Sequence, residues 1–190
     1  ADDLSGVHPS VAASIHSYFA TRDYSSGNFA RAAVQFDKAF GAAHQSGQLL
    51  VAVTATVNAG NTYAALNDHD AALECLQRGL DLARPTGWAS ALGPCLHQMS
   101  EILVAMDRLD AAESMLDEAM QIYAPLRNSR NYGAALMLQG QLAHKRGDYP
   151  RALTFFSQQV ARAQHLDQVD QVIEAQTGVA DALLHLGDDA

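Results

Sequence analysis

Two asparagines three residues apart, Asn58 and Asn61, stand in the stretch NAGNTYAALNDHDAALECL (residues 58–76), which is otherwise rich in alanine and leucine. Asparagine is a poor helix former, because its short amide competes for backbone hydrogen bonds. Residues three apart share a helix face, and a carboxamide both donates and accepts. Two amides on one face can therefore hold an extended peptide by its backbone, whatever its side chains, or else satisfy each other, a neighbouring helix or water. His97, His144 and His185 are candidates for a metal or pH-sensitive wall, but the chain has no His-x-x-x-His or Cys-x-x-Cys spacing. They are expected to be separate surface histidines. Cys75 and Cys95 are too few for a disulfide framework and are expected to be free thiols. There is no glycine-rich phosphate loop, no nucleophile elbow and no carboxylate pair set on rigid elements. No catalytic residue, cofactor or metal is assigned, and the chain is expected not to be an enzyme.

The composition narrows the class of partner. Of 190 residues, 48% are hydrophobic and 17% charged, which describes a globular chain. The formal net charge is -9 and the isoelectric point about 5.1. That balance argues against nucleic acid, whose recognition rests on neutralising phosphates with Lys and Arg. No apolar run approaches the roughly 18–20 residues that span a bilayer, and no signal-type segment opens the sequence. The expected setting is cytoplasmic. The first residue is Ala1 and not Met, which suggests a trimmed chain.

The elements that must carry these residues follow from an internal register of 40. Ala32, Ala72, Ala112 and Ala152 fall on it, and four residues after each stand Phe36, Leu76, Leu116 and Phe156. Twelve residues before each alanine is a small residue: Ala20, Gly60, Ser100 and Gly140, with Ala180 one step further. Five residues before each is Gly27, Asn67, Asp107 or Gly147, followed in the register by Gly187. Gly, Asn and Asp best tolerate the left-handed conformation that ends a helix. Asn28, Asp68, Asp148 and Asp188 come next and suit the start of another helix. Each register therefore reads as helix, tight turn, helix. The small residue lets the partner approach, and the large one fills the gap.

The predicted pairs are 9–24 with 28–44, 48–66 with 69–83, 88–106 with 109–124 and 128–146 with 149–164, followed by a lone helix at 168–186. Pro85 and Pro125 should stop second helices, and Pro150 is tolerated in a first turn. Pro94 should kink its helix or delay its start. Cys75 and Cys95 fall on consecutive helices, and Tyr18, Phe19 and Tyr24 should pack within the first repeat.

This pattern resembles the tetratricopeptide repeat. GNTYAALNDHDAALECLQRGL (60–80) matches best, through Gly60, Tyr63, Ala72, Leu76 and Gly79, and GQLAHKRGDYPRALTFF (140–156) nearly as well. The resemblance implies an all-α, right-handed solenoid of antiparallel helix pairs. Repeats would run at about 9–47, 48–87, 88–127 and 128–167, with a half repeat at 168–190. Asp23 occupies the usual aromatic position of the first repeat, so its first helix should be short or irregular. The period of 40, against the family's usual 34, is similar to a long-helix subclass. That subclass includes kinesin light chains, spindle-orientation adaptors, bacterial peptide-sensing regulators and the sensory parts of bacterial signalling proteins. Six more residues add about 9 Å of helix, shared between the pair.

By this resemblance the first helix of each pair lines a concave groove. The implied groove residues are Thr54, Val57, Asn58 and Asn61 in the second repeat; His97, Gln98 and Glu101 in the third; Met137, Gln141 and His144 in the fourth; and Glu174, Thr177 and Asp181 in the fifth. The positions that grip a terminal carboxylate in chaperone-binding members correspond to Ser17, Val57, His97, Met137 and Thr177, none permanently cationic. Glu101, Glu174 and Asp181 make one part of the groove acidic. The expected partner is a neutral or basic protein or peptide segment, with no nucleic acid and no membrane.

The alternative is a sensory or dimerising segment of a larger bacterial signalling protein. Its output would be a diguanylate cyclase of the Gly-Gly-Asp-Glu-Phe class or a DNA-binding domain. In this reading the fifth repeat continues into another second helix beyond Ala190. Its open apolar face would be covered by that helix or by a homodimer through the C-terminal repeat, or the helix would fray from about Val179.

Overall fold

The computed structural model describes residue 4 and residues 6–188. Among these, every regular element is helical. The order is α1 (Pro9–Ser25), α2 (Phe29–Gln45), α3 (Leu49–Ala65), α4 (His69–Ala83), α5 (Ala89–Ala105), α6 (Leu109–Tyr123), α7 (Arg130–Lys145), α8 (Tyr149–His165) and α9 (Val169–Asp188). No helix among the described residues is long and apolar enough to cross a membrane. The chain divides into two compact units, residues 1–102 and 103–190.

The turns form as their residue types require. Gly27, Asn67, Asp107 and Gly147 are all left-handed, with φ of 75°, 60°, 60° and 75°. Asp68 and Asp148 cap the helices that follow, accepting from the backbone N–H of Ala71 and Arg151 at 3.1 Å each. Asn28 sits at the same position without such a bond. Pro85 and Pro125 lie in short 3-10 turns, Arg84–Thr86 and Ala124–Leu126, immediately after α4 and α6. A second series of left-handed residues, Gly47, Gly87 and Asp167, closes the connections between repeats.

Three expectations are corrected. First, α1 is a full 17-residue helix despite Asp23. The carboxylate is buried, and Arg22 and Arg31 approach it at 3.4 and 3.6 Å, so the charge is compensated within the repeat. Second, α5 begins at Ala89 and continues past Pro94, so the proline does not delay its start. The proline leaves the Ser90 carbonyl without its helical donor, and Ser90 is exposed, so water can take that place. Third, Gly187 does not make a left-handed turn but belongs to α9, which continues through Val179 without a break. Glycine permits such a turn without imposing it. The side chain of Asp188 lies outside the described residues.

The core of each unit is the meeting of small and large residues. In the first unit, a Cβ on Gly60 would stand 2.8 Å from Cγ of Leu76. In the second, the ring of Phe156 fits between α7 and α9. A Cβ on Gly140 would stand 2.3 Å from its Cε1, and one on Gly178 would stand 2.8 Å from its Cδ1. Ala143, Ala152, Ala175 and Ala182 close around it.

One connection departs from the register. Arg127 falls where Gly47, Gly87 and Asp167 are left-handed, but its φ is -57°. Arg162 of α8 holds this segment instead, donating to the Arg127 carbonyl at 2.7 Å and the Ser129 carbonyl at 2.5 Å. The same guanidinium donates to Gln159, Gln168 and Gln171, and so ties α8 and α9 to the start of α7.

Both cysteines are free and buried. Burial pushes the Cys95 thiol up to about 12. Burial also raises Cys75, against the opposing hydrogen bond from Arg78. Only the thiolate reacts, and a raised value keeps both protonated at pH 8. Native protein should therefore not react with a disulfide reagent at pH 8, and two thiols should titrate after denaturation. Prompt labelling of either cysteine in the native state would contradict their burial. A second expectation concerns Gly140. Alanine is the better helix former by about 1 kcal/mol, but crowding Phe156 costs about 1–3 kcal/mol. Urea denaturation of Gly140→Ala should show a net loss of up to about 2 kcal/mol, and Phe156→Leu in the same chain should relieve part of it, giving non-additive losses. A stabilised Gly140→Ala would mean that the close contact is not tight.

Candidate ligand clefts

The second unit contains an open cleft of about 570 Å³. From α7 it takes Met137, Gln141, His144 and Lys145, and from α9 Glu174, Thr177, Gly178 and Asp181. On α7 the spacing 137, 141, 144 is one helical stripe, as is 174, 177, 181 on α9. Val104, Met137 and Phe156 provide an apolar floor. The polar lining is Gln141, Thr177 and four groups that carry or can carry charge: Glu174, Asp181, Lys145 and His144. Lys145 lies 3.7 Å from Asp107, so the one lysine of the cleft has a carboxylate neighbour. Six residues expected from sequence, Met137, Gln141, His144, Glu174, Thr177 and Asp181, are thus brought together on one wall.

The first unit holds a smaller cleft of about 210 Å³, lined by Thr21, Tyr24, Phe36, Asn58 and Asn61. Both asparagines of the opening stretch therefore meet the same space. The Asn61 side-chain oxygen is buried and has no hydrogen-bond partner. A buried acceptor left in that state costs about 1–3 kcal/mol, and a donor entering the cleft would satisfy it. The other expected residues of this unit are not among those that line this cleft. Thr54 is exposed and turns its hydroxyl back to the Leu50 carbonyl at 2.8 Å. Val57 and Gln98 are half-buried. His97 Nε2 is 3.3 Å from Glu101, one turn along the same helix. A third cleft, of about 490 Å³ and lined by Leu4, Val7, Pro9, Ala12, His16, Lys38, Ala42 and Gln45, was not foreseen from the sequence.

Two polar groupings were also missed. Asp37 of α2 accepts from Tyr63 at 2.8 Å and from Arg78 at 3.0 Å, and Arg78 also reaches Cys75 Sγ at 3.0 Å. Burial first, then the Asp37 hydrogen bond, push the Tyr63 hydroxyl up to about 12, so it serves as a fixed donor. The second grouping is at the end of the larger cleft, where His144, Asp181 and His185 converge. His144 and His185, expected to be separate surface histidines, lie with their rings 5.2 Å apart. The available signal was the register itself. Forty residues after His144 is position 184, and Asp181 and His185 flank it on one face of α9.

Comparison with known proteins agrees with this architecture. The tetratricopeptide repeat family matches residues 94–165 and, by a second family pattern of the same description, residues 54–86. Together the two matches span more than half of the chain. No curated protein matches the sequence. Among solved structures, the apo form of RapI is similar with a TM-score of 0.83 at 12% identity, over 98% of this chain and 73% of that one. The nearly identical TPR-like repeats of a putative kinesin light chain from Podosopora anserina give 0.75 at 18% identity, over 96% and 90%. A signal transduction ATPase with numerous domains and a tetratricopeptide repeat sensor, from Pyrococcus horikoshii, gives 0.79 at 13% identity; the match covers 93% of this chain and 28% of that one. At these identities the likeness is one of fold. With the 40-residue register, the paired helices and the two family matches in agreement, the chain belongs to the tetratricopeptide repeat family.

Proposed function

We propose that this chain is a non-catalytic scaffold that binds extended protein segments of neutral or basic character. The observation that carries the reading is the larger cleft, with an apolar floor, a carboxamide at Gln141 and two carboxylates against a single lysine. An apolar floor with a few convergent polar groups is the usual form of a binding site. Its acidic balance favours a ligand with Lys or Arg, since complementary charge sets specificity. In the smaller cleft, Asn58 and Asn61 hold ligand backbone, and the unpartnered oxygen of Asn61 supports that role.

The second reading, a sensory or dimerising segment of a larger signalling protein, is favoured by α9. In α3 the side that meets α4 carries Val53, Thr56 and Gly60, all buried, and Tyr63, half-buried. The register equivalents on α9 are Ile173, Gln176, Ala180 and Leu183, all exposed. We propose that a following second helix covers this face in the longer protein. Such a side, with Ile173 61% and Leu184 67% exposed, has the character of a contact surface.

Two outcomes test the binding reading. Calorimetric titration with lysine-containing unstructured heptapeptides should give binding that Glu174→Lys weakens, whereas peptides ending in an acidic chaperone-type tail should not bind. Micromolar binding of the acidic tail would refute the charge assignment. For the amides, Asn61→Ala should cost about 1–2 kcal/mol of peptide affinity while leaving thermal stability unchanged or raised, because alanine is the better helix former. A lower melting temperature with unchanged affinity would make Asn61 structural.

A further inference from the structure

The cluster at the end of the larger cleft has a composition that peptide binding does not require. His144 comes from the last turn of α7, and Asp181 and His185 stand four residues apart on one face of α9. One ligand-type atom from each, two imidazole nitrogens and one carboxylate oxygen, lies within 4.8 Å of the other two. His144 Nε2 stands 2.8 Å from Asp181 Oδ2. That nitrogen is buried, and the approach lacks hydrogen-bond geometry, so it is left without a hydrogen bond. The rings of His144 and His185 are 5.2 Å apart. Tyr149, from the first turn of α8, stacks on His185 at 4.5 Å and 6° and meets His144 edge-on at 5.1 Å. Three helices thus orient the two imidazoles, and the tyrosine restricts how either ring can turn.

We propose that His144, Asp181 and His185 form a binding site for a divalent transition cation of the zinc class. Two imidazoles and one carboxylate suit a borderline ion, and three protein ligands leave a fourth position open. Ligand atoms held at about 2.0–2.1 Å in a tetrahedral site stand roughly 3.3 Å from one another. The three atoms lie within 4.8 Å of one another, so side-chain rotations that close a gap of at most about 1.5 Å bring them to that spacing. His144 and Asp181 line the cleft, so the open position is reached from it, by water or by a donor group of a bound segment. Glu174 adds negative charge to the same cleft. Lys145, its positive group, lies 3.7 Å from Asp107. The cation ties α7 to α9 at the end of the stripe that lines the cleft.

The test uses the full chain and zinc ion itself, titrated in competition with a chromophoric chelator. One tight equivalent is expected, with affinity lowered at least about tenfold in each of His144→Gln, Asp181→Asn and His185→Ala. The control His165→Ala, an exposed histidine outside the cluster, should bind as the parent does. Cobalt substituted for zinc should give the visible absorption of a four-coordinate nitrogen-oxygen site, absent from His185→Ala. Circular dichroism of each variant separates lost binding from lost folding. Asp181→Asn serves even if a histidine variant unfolds, because Asp181 is exposed. The proposal is overturned if the parent binds no zinc below millimolar concentration. It is equally overturned if His165→Ala weakens binding as much as His185→Ala, which would mean scattered surface coordination.

Discussion

The contact between Gly140 and Phe156 sets how near α7 and α8 can come, and much else in the second unit depends on it. There is no room there for even one methyl group. Interiors are packed to crystal-like density, so a ring of that size on α8 requires a gap on α7, and Gly178 leaves a second gap on α9. The first unit makes the same arrangement with Leu76 against Gly60. A single large side chain per pair fixes helix spacing and axial position at once, which is why the register carries no insertions.

That packing decides which residues are left to line the cleft. Once the inward side of α7 has closed on Phe156, the side carrying Met137, Gln141 and His144 turns to the cleft. The stripe Glu174, Thr177 and Asp181 on α9 faces the same space. Residues that line a cleft from rigid helices are held by the core behind them, so the shape of the proposed site is set before any ligand arrives. The polar devices serve the same end. Arg162 satisfies two loop carbonyls and three glutamines where the left-handed turn is missing, and Asp37 ties Tyr63 to Arg78 across three helices.

Electrostatics gives the cleft its direction. The chain carries a formal charge of -9, and Glu174 and Asp181 concentrate part of it beside an apolar floor. A lysine in the same cleft close to Asp107 does little to offset them. The negative balance of this lining is what the proposed binding of cationic groups rests on.

Helix boundaries, turns and pairing were legible in the sequence, because they follow from local rules. Gly27, Asn67, Asp107 and Gly147 adopt the left-handed conformation that their residue types tolerate, and Asp68 and Asp148 accept the hydrogen bonds that their positions offer. The resemblance to the repeat family also named six residues of α7 and α9 that share one cleft, Met137, Gln141, His144, Glu174, Thr177 and Asp181. Tertiary structure alone decided the rest. Whether Asp23 would break α1 depended on Arg31, eight residues away on the next helix. Gly187 could turn or continue, and glycine's own preferences do not choose. The absence of a left-handed turn at Arg127 depended on a guanidinium 35 residues further on. The register put His144 one step from position 184, between Asp181 and His185, but the meeting of the three side chains required α7 and α9 to pack with the correct offset.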